Sequence, residues 1–260
     1  MKLIKFMTKS AKGARYGLLH NGHARVIVAD PFEGMIVGTS ETYPEEDVIL
    51  LAPCSPSKIV AVGLNYKDHA EELGMPLPDE PLIFLKPPSS IIGPGDEITG
   101  PKMSSHVDYE AELGVVIGKR TKDIPPEKVN KHILGYTCVN DVTARDLQKK
   151  DVQFTRAKGF DTFCPIGPWI ETELDPRDIL IESRLNGELK QSSRTSQFIH
   201  DVPSLVSFVS MIMTLEPGDI ISTGTPKGVG PMRHGDEIAV SIEGIGELKN
   251  RFSATNETRA

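Results

Sequence analysis

Residues His106 to Gly118 read HVDYEAELGVVIG. In an extended chain, side chains two apart share a face. Asp108, Glu110 and Glu112 then project together, with Tyr109, Ala111 and Leu113 opposite. The run that follows, Gly114–Ile117, is apolar, as expected of a strand inside a core. Three like charges held close together repel unless something positive neutralises them. A solvated acidic edge would tolerate the row, whereas a row that leads into a buried strand suggests a cavity and a cation. Carboxylate oxygens suit hard ions such as Mg²⁺, Mn²⁺ or Ca²⁺. A third carboxylate is available from Asp141, at the end of the strand-like run Leu134–Asn140.

The rest of the composition narrows the partners. The 260 residues are 38% hydrophobic and 25% charged, which suits a folded globular chain. The formal net charge of −7 gives little attraction to phosphate backbones or anionic lipid, so neither nucleic acid nor a membrane is an expected partner. No apolar run approaches the ~18 residues needed to span a bilayer. The first residues, MKLIKFMTKSAKGARYG, lack the apolar core of a signal peptide, and a cytoplasmic location is expected. Cys54, Cys138 and Cys164 are odd in number and far apart, which fits buried reduced thiols better than a disulfide framework or a thiolate zinc site.

Along the chain, residues 1–54 read as a small β unit. Lys2–Met7, Arg15–His20 and Ala24–Ala29 are strand-like, and Asn21-Gly22 is a hairpin turn signal between the last two. Two prolines make Ala52–Ser57 a linker. The larger domain, 55–260, reads as mainly β. Strands are expected at Ile59–Gly63, Leu82–Lys86, Tyr109–Ile117, Ile133–Val139, Ile179–Leu185, Ile220–Thr223 and Glu237–Ile242. Asn186-Gly187 is a second hairpin signal. A Gly-Asp-x-Ile pattern at Gly95, Gly218 and Gly235 reads as three turns feeding strands. Helices are few: Tyr66–Leu73, Thr143–Lys150 and Pro203–Leu215, the last with Leu205, Phe208, Val209 and Ile212 on one face.

Beyond the carboxylates, His69 and Glu72 are one helical turn apart, which is also the spacing of an ordinary surface contact. Arg145 and Gln148 share a helix face near Asp141. Arg145 could grip a carboxylate at two points or serve a structural ion pair. Lys158 follows in Phe154-Thr-Arg-Ala-Lys158-Gly. The loop Thr223–Gly230 superficially resembles a phosphate loop, but lacks G-x-x-x-x-G-K-[ST].

Together these stretches carry a resemblance. Val62-Gly-Leu-Asn-Tyr-Lys-Asp-His69-Ala-Glu-Glu72, Phe84-Leu-Lys-Pro-Pro-Ser, Asp108-Tyr-Glu110-Ala-Glu112-Leu-Gly-Val-Val-Ile-Gly, Asn140-Asp141-Val-Thr-Ala-Arg145-Asp-Leu-Gln148, Ala157-Lys158-Gly-Phe-Asp and Thr223-Gly-Thr225-Pro-Lys-Gly-Val-Gly occur in order over about Lys58–Phe252. In this the chain resembles the fumarylacetoacetate hydrolase family.

The resemblance implies a mixed β-sandwich roll preceded by the small N-terminal β unit, and a homodimer. It implies Mg²⁺ or Mn²⁺ held by Glu110, Glu112 and Asp141, with Asp108 outside the ligand set. Glu72 would orient His69, which would take a proton from water. Lys158 would stabilise a developing oxyanion, and Arg145, Gln148 and Thr225 would contact substrate. The substrate class implied is a small 2-oxo acid. C–C hydrolysis of an acylpyruvate leads, beside enol–keto isomerisation of 2-hydroxy-dienoic diacids and oxaloacetate decarboxylation or tautomerisation. A metal-stabilised β domain that only binds a carboxylate ligand is the non-enzymatic rival.

Overall fold

The computed structural model describes residues 1–9 and 11–254. Its backbone is mainly β. One large sheet runs, in spatial order, through Gly38–Pro44, His23–Ile27, Ala11–His20, Lys2–Thr8, Cys164–Glu171, Ile133–Asn140, Ala111–Ile117, Ile220–Ser222, Ile59–Val62 and Ile83–Lys86. A second sheet orders Glu188–Arg194, Leu180–Leu185, Glu237–Ile242, Gly246–Ala254 and Glu97–Gly100. A third, small sheet joins Thr143–Ala144, Val107–Tyr109 and Gly230–Pro231.

The apolar run of Ala111–Ile117 is central to the large sheet, and its residues are buried on both faces. Leu113, Val115 and Ile117 pack with Ile181, Val240 and Ile242 of the second sheet. Val116 packs the other way, with Leu3, Ile59, Val139 and Ile166. A strand buried on both sides reads as a continuous hydrophobic run, as this one does.

Helix α1 covers Lys67–Leu73, α2 Arg145–Lys150, α3 Thr155–Lys158 and α4 Val202–Ile212. Asp201 caps α4 by accepting the Ser204 amide at 2.9 Å, and Pro203 stands in its first turn. Leu205, Val206 and Val209 fill the core beneath it. Each such side chain contributes about 1.5–3 kcal/mol by leaving water.

The turn signals form as the sequence predicts. Asn21-Gly22 and Asn186-Gly187 carry left-handed φ of 48° and 72°, and of 52° and 82°, as a two-residue hairpin requires. The three Gly-Asp turns share one device. Asp96, Asp219 and Asp236 each accept the amide three residues earlier, from Gly93, Glu216 and Arg233.

Three expectations change. Tyr109–Ile117 is two strands, broken at Glu110. Thr143 and Ala144 form a short strand before α2, because Val107 and Asp108 pair with them. Cys164–Glu171, which is not among the expected strands, is a full strand of the large sheet. The N-terminal strands extend that sheet: Lys2 and Leu3 pair with Glu171 and Ile170, and the Met1 amine lies 2.5 Å from Glu171 Oε1. Cys54, Cys138 and Cys164 are free and buried. Among the described residues, no helix is long and apolar enough to cross a membrane.

Candidate functional site

The break at Glu110 makes the site. Val107–Tyr109 belongs to the small sheet and Ala111–Ile117 to the large one, so the chain changes sheets at Glu110. Asn140 Oδ1 accepts the Glu110 amide at 2.9 Å, and Asp141 donates its own amide to the Glu110 carbonyl at 2.9 Å. Glu110 and Asp141 are thereby neighbours although 31 positions separate them in sequence. Glu112 sits one pleat further along, where Ser222 Oγ and the Gly224 amide donate to its Oε2 at 2.5 and 2.9 Å.

The result is a buried triad. Glu110, Glu112 and Asp141 offer carboxylate oxygens that all lie within 4.8 Å of one another. That spread is close to twice the ~2.1 Å bond of an octahedral Mg²⁺ site. The donors are all oxygen, and the three residues are 6%, 1% and 0% exposed.

Cations surround the triad. Arg145 donates from Nε to Asp108 Oδ2 at 2.8 Å, from Nη2 to Glu110 Oε1 at 2.5 Å and from Nη1 to Gln148 Oε1 at 2.6 Å. Lys158 Nζ donates to Glu110 Oε2 at 2.8 Å and to Asp141 Oδ2 at 2.6 Å. Lys86 Nζ donates to Asp141 Oδ1. Four carboxyls, those of Asp108, Glu110, Glu112 and Asp141, thus meet three cations, and Glu112 is the one that receives only neutral donors.

The electrostatics follow from that count. Burial alone would raise Glu110, but Lys158 and Arg145 outweigh it and hold the carboxyl at about 2. Burial, then Asp141 and Glu110, push Glu112 up to about 8. Burial lowers Lys158, but Asp141, Glu110 and Glu112 keep its ammonium charged. A buried, oxygen-only cluster with one carboxyl more than its cations balance fits a hard divalent cation.

A cavity of about 340 Å³ reaches the triad at Glu110, with Glu112 and Asp141 behind its wall. His69, Glu110, Arg145, Gln148, Lys158 and Thr225 line it together with apolar Leu64, Leu82, Phe84 and Phe154. His69 comes from α1, where its Nδ1 lies 2.8 Å from Glu72 Oε2. Glu72 also accepts the Gly228 amide at 3.1 Å, which ties α1 to the Thr223–Gly230 loop. Asp68 accepts from Ser193 Oγ at 2.6 Å, and buried Tyr66, just before the helix, packs edge-on against Phe198. Gly74 ends the helix in a left-handed conformation, φ 63°.

All nine residues singled out in the sequence therefore meet in one region. Thr225 is there with a qualification: its hydroxyl donates to the Ala111 carbonyl at 2.9 Å and accepts from Gln191 Nε2 at 2.8 Å. Its proton is spent on holding the loop.

The sequence assigns no role to Lys86, Asn140, Gln191 or Ser222, although Lys86 and Asn140 lie within the stretches that carry the family resemblance. Lys86 left a faint signal, a lysine closing the apolar strand Ile83–Lys86 ahead of two prolines. The other three are polar residues in strands, with nothing in the local pattern to set them apart.

A mainly β roll with a buried carboxylate triad that meets a small cavity at Glu110 is an arrangement able to hold a divalent cation. The chain belongs to the fumarylacetoacetate hydrolase family: residues 58–253 match Fumarylacetoacetate (FAA) hydrolase, C-terminal, and residues 1–53 match Rv2993c-like, N-terminal. It is 39% identical to the mitochondrial oxaloacetate tautomerase FAHD2B of Bos taurus, covering 96% of this chain and 91% of that one. Among solved structures, 2-hydroxyhepta-2,4-diene-1,7-dioate isomerase from Mycobacterium marinum superposes with a TM-score of 0.92 at 44% identity, covering 99% of this chain and 100% of that one. Maleylpyruvate hydrolase from Sphingobium gives 0.82 at 30% identity, covering 98% and 100%.

Proposed function

We propose that this protein is a divalent-cation-dependent enzyme acting on a small 2-oxo acid, with hydrolysis of a C–C bond in an acylpyruvate-type substrate as its leading reaction. The observation that carries the reading is one cavity lined both by His69, which Glu72 holds, and by Glu110, a member of the buried carboxylate triad. Glu110, Glu112 and Asp141 would hold Mg²⁺ or Mn²⁺, which when bound supplies Lewis acidity to the substrate's keto and carboxylate oxygens.

The chain's own residues do the rest. Glu72 holds Nδ1 of His69 and leaves Nε2 to take a proton from the attacking water. The water oxygen bonds to the distal carbonyl carbon, and the C–C bond breaks with its electron pair leaving as the enolate of pyruvate. The distal fragment leaves as a carboxylic acid, and a proton returned to the methylene carbon of the enolate completes pyruvate. An ammonium has three N–H donors; Lys158 uses two on Glu110 and Asp141, and the third serves a substrate oxygen. Arg145 keeps Glu110 and Gln148 in place and has N–H donors to spare. The work is assigned to residues 55–260, with 1–54 as the unit that lengthens the sheet.

A second reading, enol–keto isomerisation or oxaloacetate tautomerisation or decarboxylation, is supported by the relatives named isomerase and tautomerase. It needs the same proton carrier without an attacking water. A substrate panel separates the readings. With Mg²⁺ or Mn²⁺ supplied, acetylpyruvate should be cleaved faster than oxaloacetate is decarboxylated or tautomerised. Turnover of oxaloacetate with none of acetylpyruvate would favour the second reading. No turnover of any 2-oxo acid would leave only a binding domain.

A further inference from the structure

Asp141 is gripped from two sides by two lysines that stand in different places. Lys158 holds Oδ2 and lines the cavity, so substrate can reach it. Lys86 holds Oδ1, donates also to the Val142 carbonyl at 3.3 Å, and is absent from the cavity wall. Its side chain is wholly buried.

The strand that carries Lys86 is built for this. Ile83–Lys86 pairs with Ile59–Val62 at the end of the large sheet, with Lys86 opposite Ile59. Residues two apart on a strand share a face. Phe84 accordingly sits beneath Lys158, ring centroid 5.2 Å from Nζ, while Lys86 meets Asp141. One strand face therefore supports both Lys158 and the Asp141 carboxylate. Pro87 and Pro88 follow and end the strand there.

We propose that Lys86 is a positioning residue: it fixes the carboxylate plane of Asp141 from behind, so that Asp141 meets a divalent cation at the orientation Glu110 and Glu112 require. It touches neither substrate nor cation. The proposal rests on the reading of Glu110, Glu112 and Asp141 as the cation site.

Coulomb's law and positioning give opposite signs when Lys86 is neutralised. Removing a positive charge this close to a cation site relieves repulsion and would tighten binding. Releasing a ligand from its orienting partner loosens it, by about 10–100-fold in metal sites generally. Mn²⁺ is the probe, titrated calorimetrically into chelator-treated full-length protein, with the melting temperature of the metal-free form recorded alongside. Lys86→Met should bind Mn²⁺ about 10–100-fold more weakly. Lys86→Arg, which keeps a charged donor, should recover most of that loss.

Equal or tighter Mn²⁺ binding by Lys86→Met would overturn the proposal and leave Lys86 a mere counter-charge. Should the methionine variant fail to fold, Lys86→Gln reads the same sign. The underlying site reading has its own control. If unaltered protein binds Mn²⁺ no better than Asp141→Asn does, both fall; if it binds better and Lys86→Met matches it, only the positioning role falls.

Discussion

His69 Nδ1 and Glu72 Oε2 face each other at 2.8 Å across one turn of α1, and the same carboxylate accepts the Gly228 amide. Glu72 therefore orients a histidine and pins the helix with a single side chain. Replacing His69 by alanine should lower turnover about 10²–10⁴-fold, the range for loss of a general base. Mn²⁺ affinity should stay unchanged, since His69 contacts none of the three carboxylates. Steady-state kinetics beside calorimetric titration checks both halves. Full activity on every 2-oxo acid would remove His69 from the mechanism.

The metal-free protein should lose stability as pH rises from about 5 to 8. Glu112 sits at about 8 when folded, well above the ~4.3 of an unfolded glutamate. Its contribution is complete below the unfolded value and is lost as pH climbs through the folded one. Glu110, held at about 2, has the opposite sign: its contribution is complete above ~4.3 and is lost only as pH falls towards 2. Melting temperatures in chelator, for the unaltered protein and Glu112→Gln, isolate the first effect as their difference. A difference that does not change between pH 5 and 8 would contradict it.

Gln191 is a fully buried junction between sheets. Its Oε1 accepts from the Ala111 amide and Ser183 Oγ, and its Nε2 donates to Thr225 Oγ1 and the Pro226 carbonyl. Leucine fits the volume but takes this partner from the Ala111 amide, Ser183 Oγ and the Pro226 carbonyl. An unsatisfied buried polar group costs ~1–3 kcal/mol, so Gln191→Leu should destabilise the fold by roughly 3 kcal/mol in urea unfolding. A change within ~0.5 kcal/mol, typical of an indifferent surface position, would show that the junction carries no weight.

Much of this was readable in the chain, for local reasons. Asn21-Gly22 and Asn186-Gly187 have the φ preferences their turns need. The i, i+2 spacing of Glu110 and Glu112, with Asp141 closing the neighbouring run, anticipated the triad. His69 and Glu72 needed only helical spacing. What escaped the reading depends on distant partners. Nothing between Asp108 and Glu112 shows that Asn140 and Asp141 take the backbone of Glu110 and so break the strand. Pro165, Gly167 and Pro168 look like breakers, yet Cys164–Glu171 pairs with strands on both sides. Lys86 resembles a surface lysine until Asp141 is folded against it.

The most direct test of the account is anomalous scattering at the manganese edge, from a crystal grown with Mn²⁺ and oxalate. A single peak flanked by Glu110, Glu112 and Asp141, with oxalate in the cavity beside Lys158, is the expected result. Density that shows those three carboxylates bare while the crystal takes up Mn²⁺ elsewhere would contradict it.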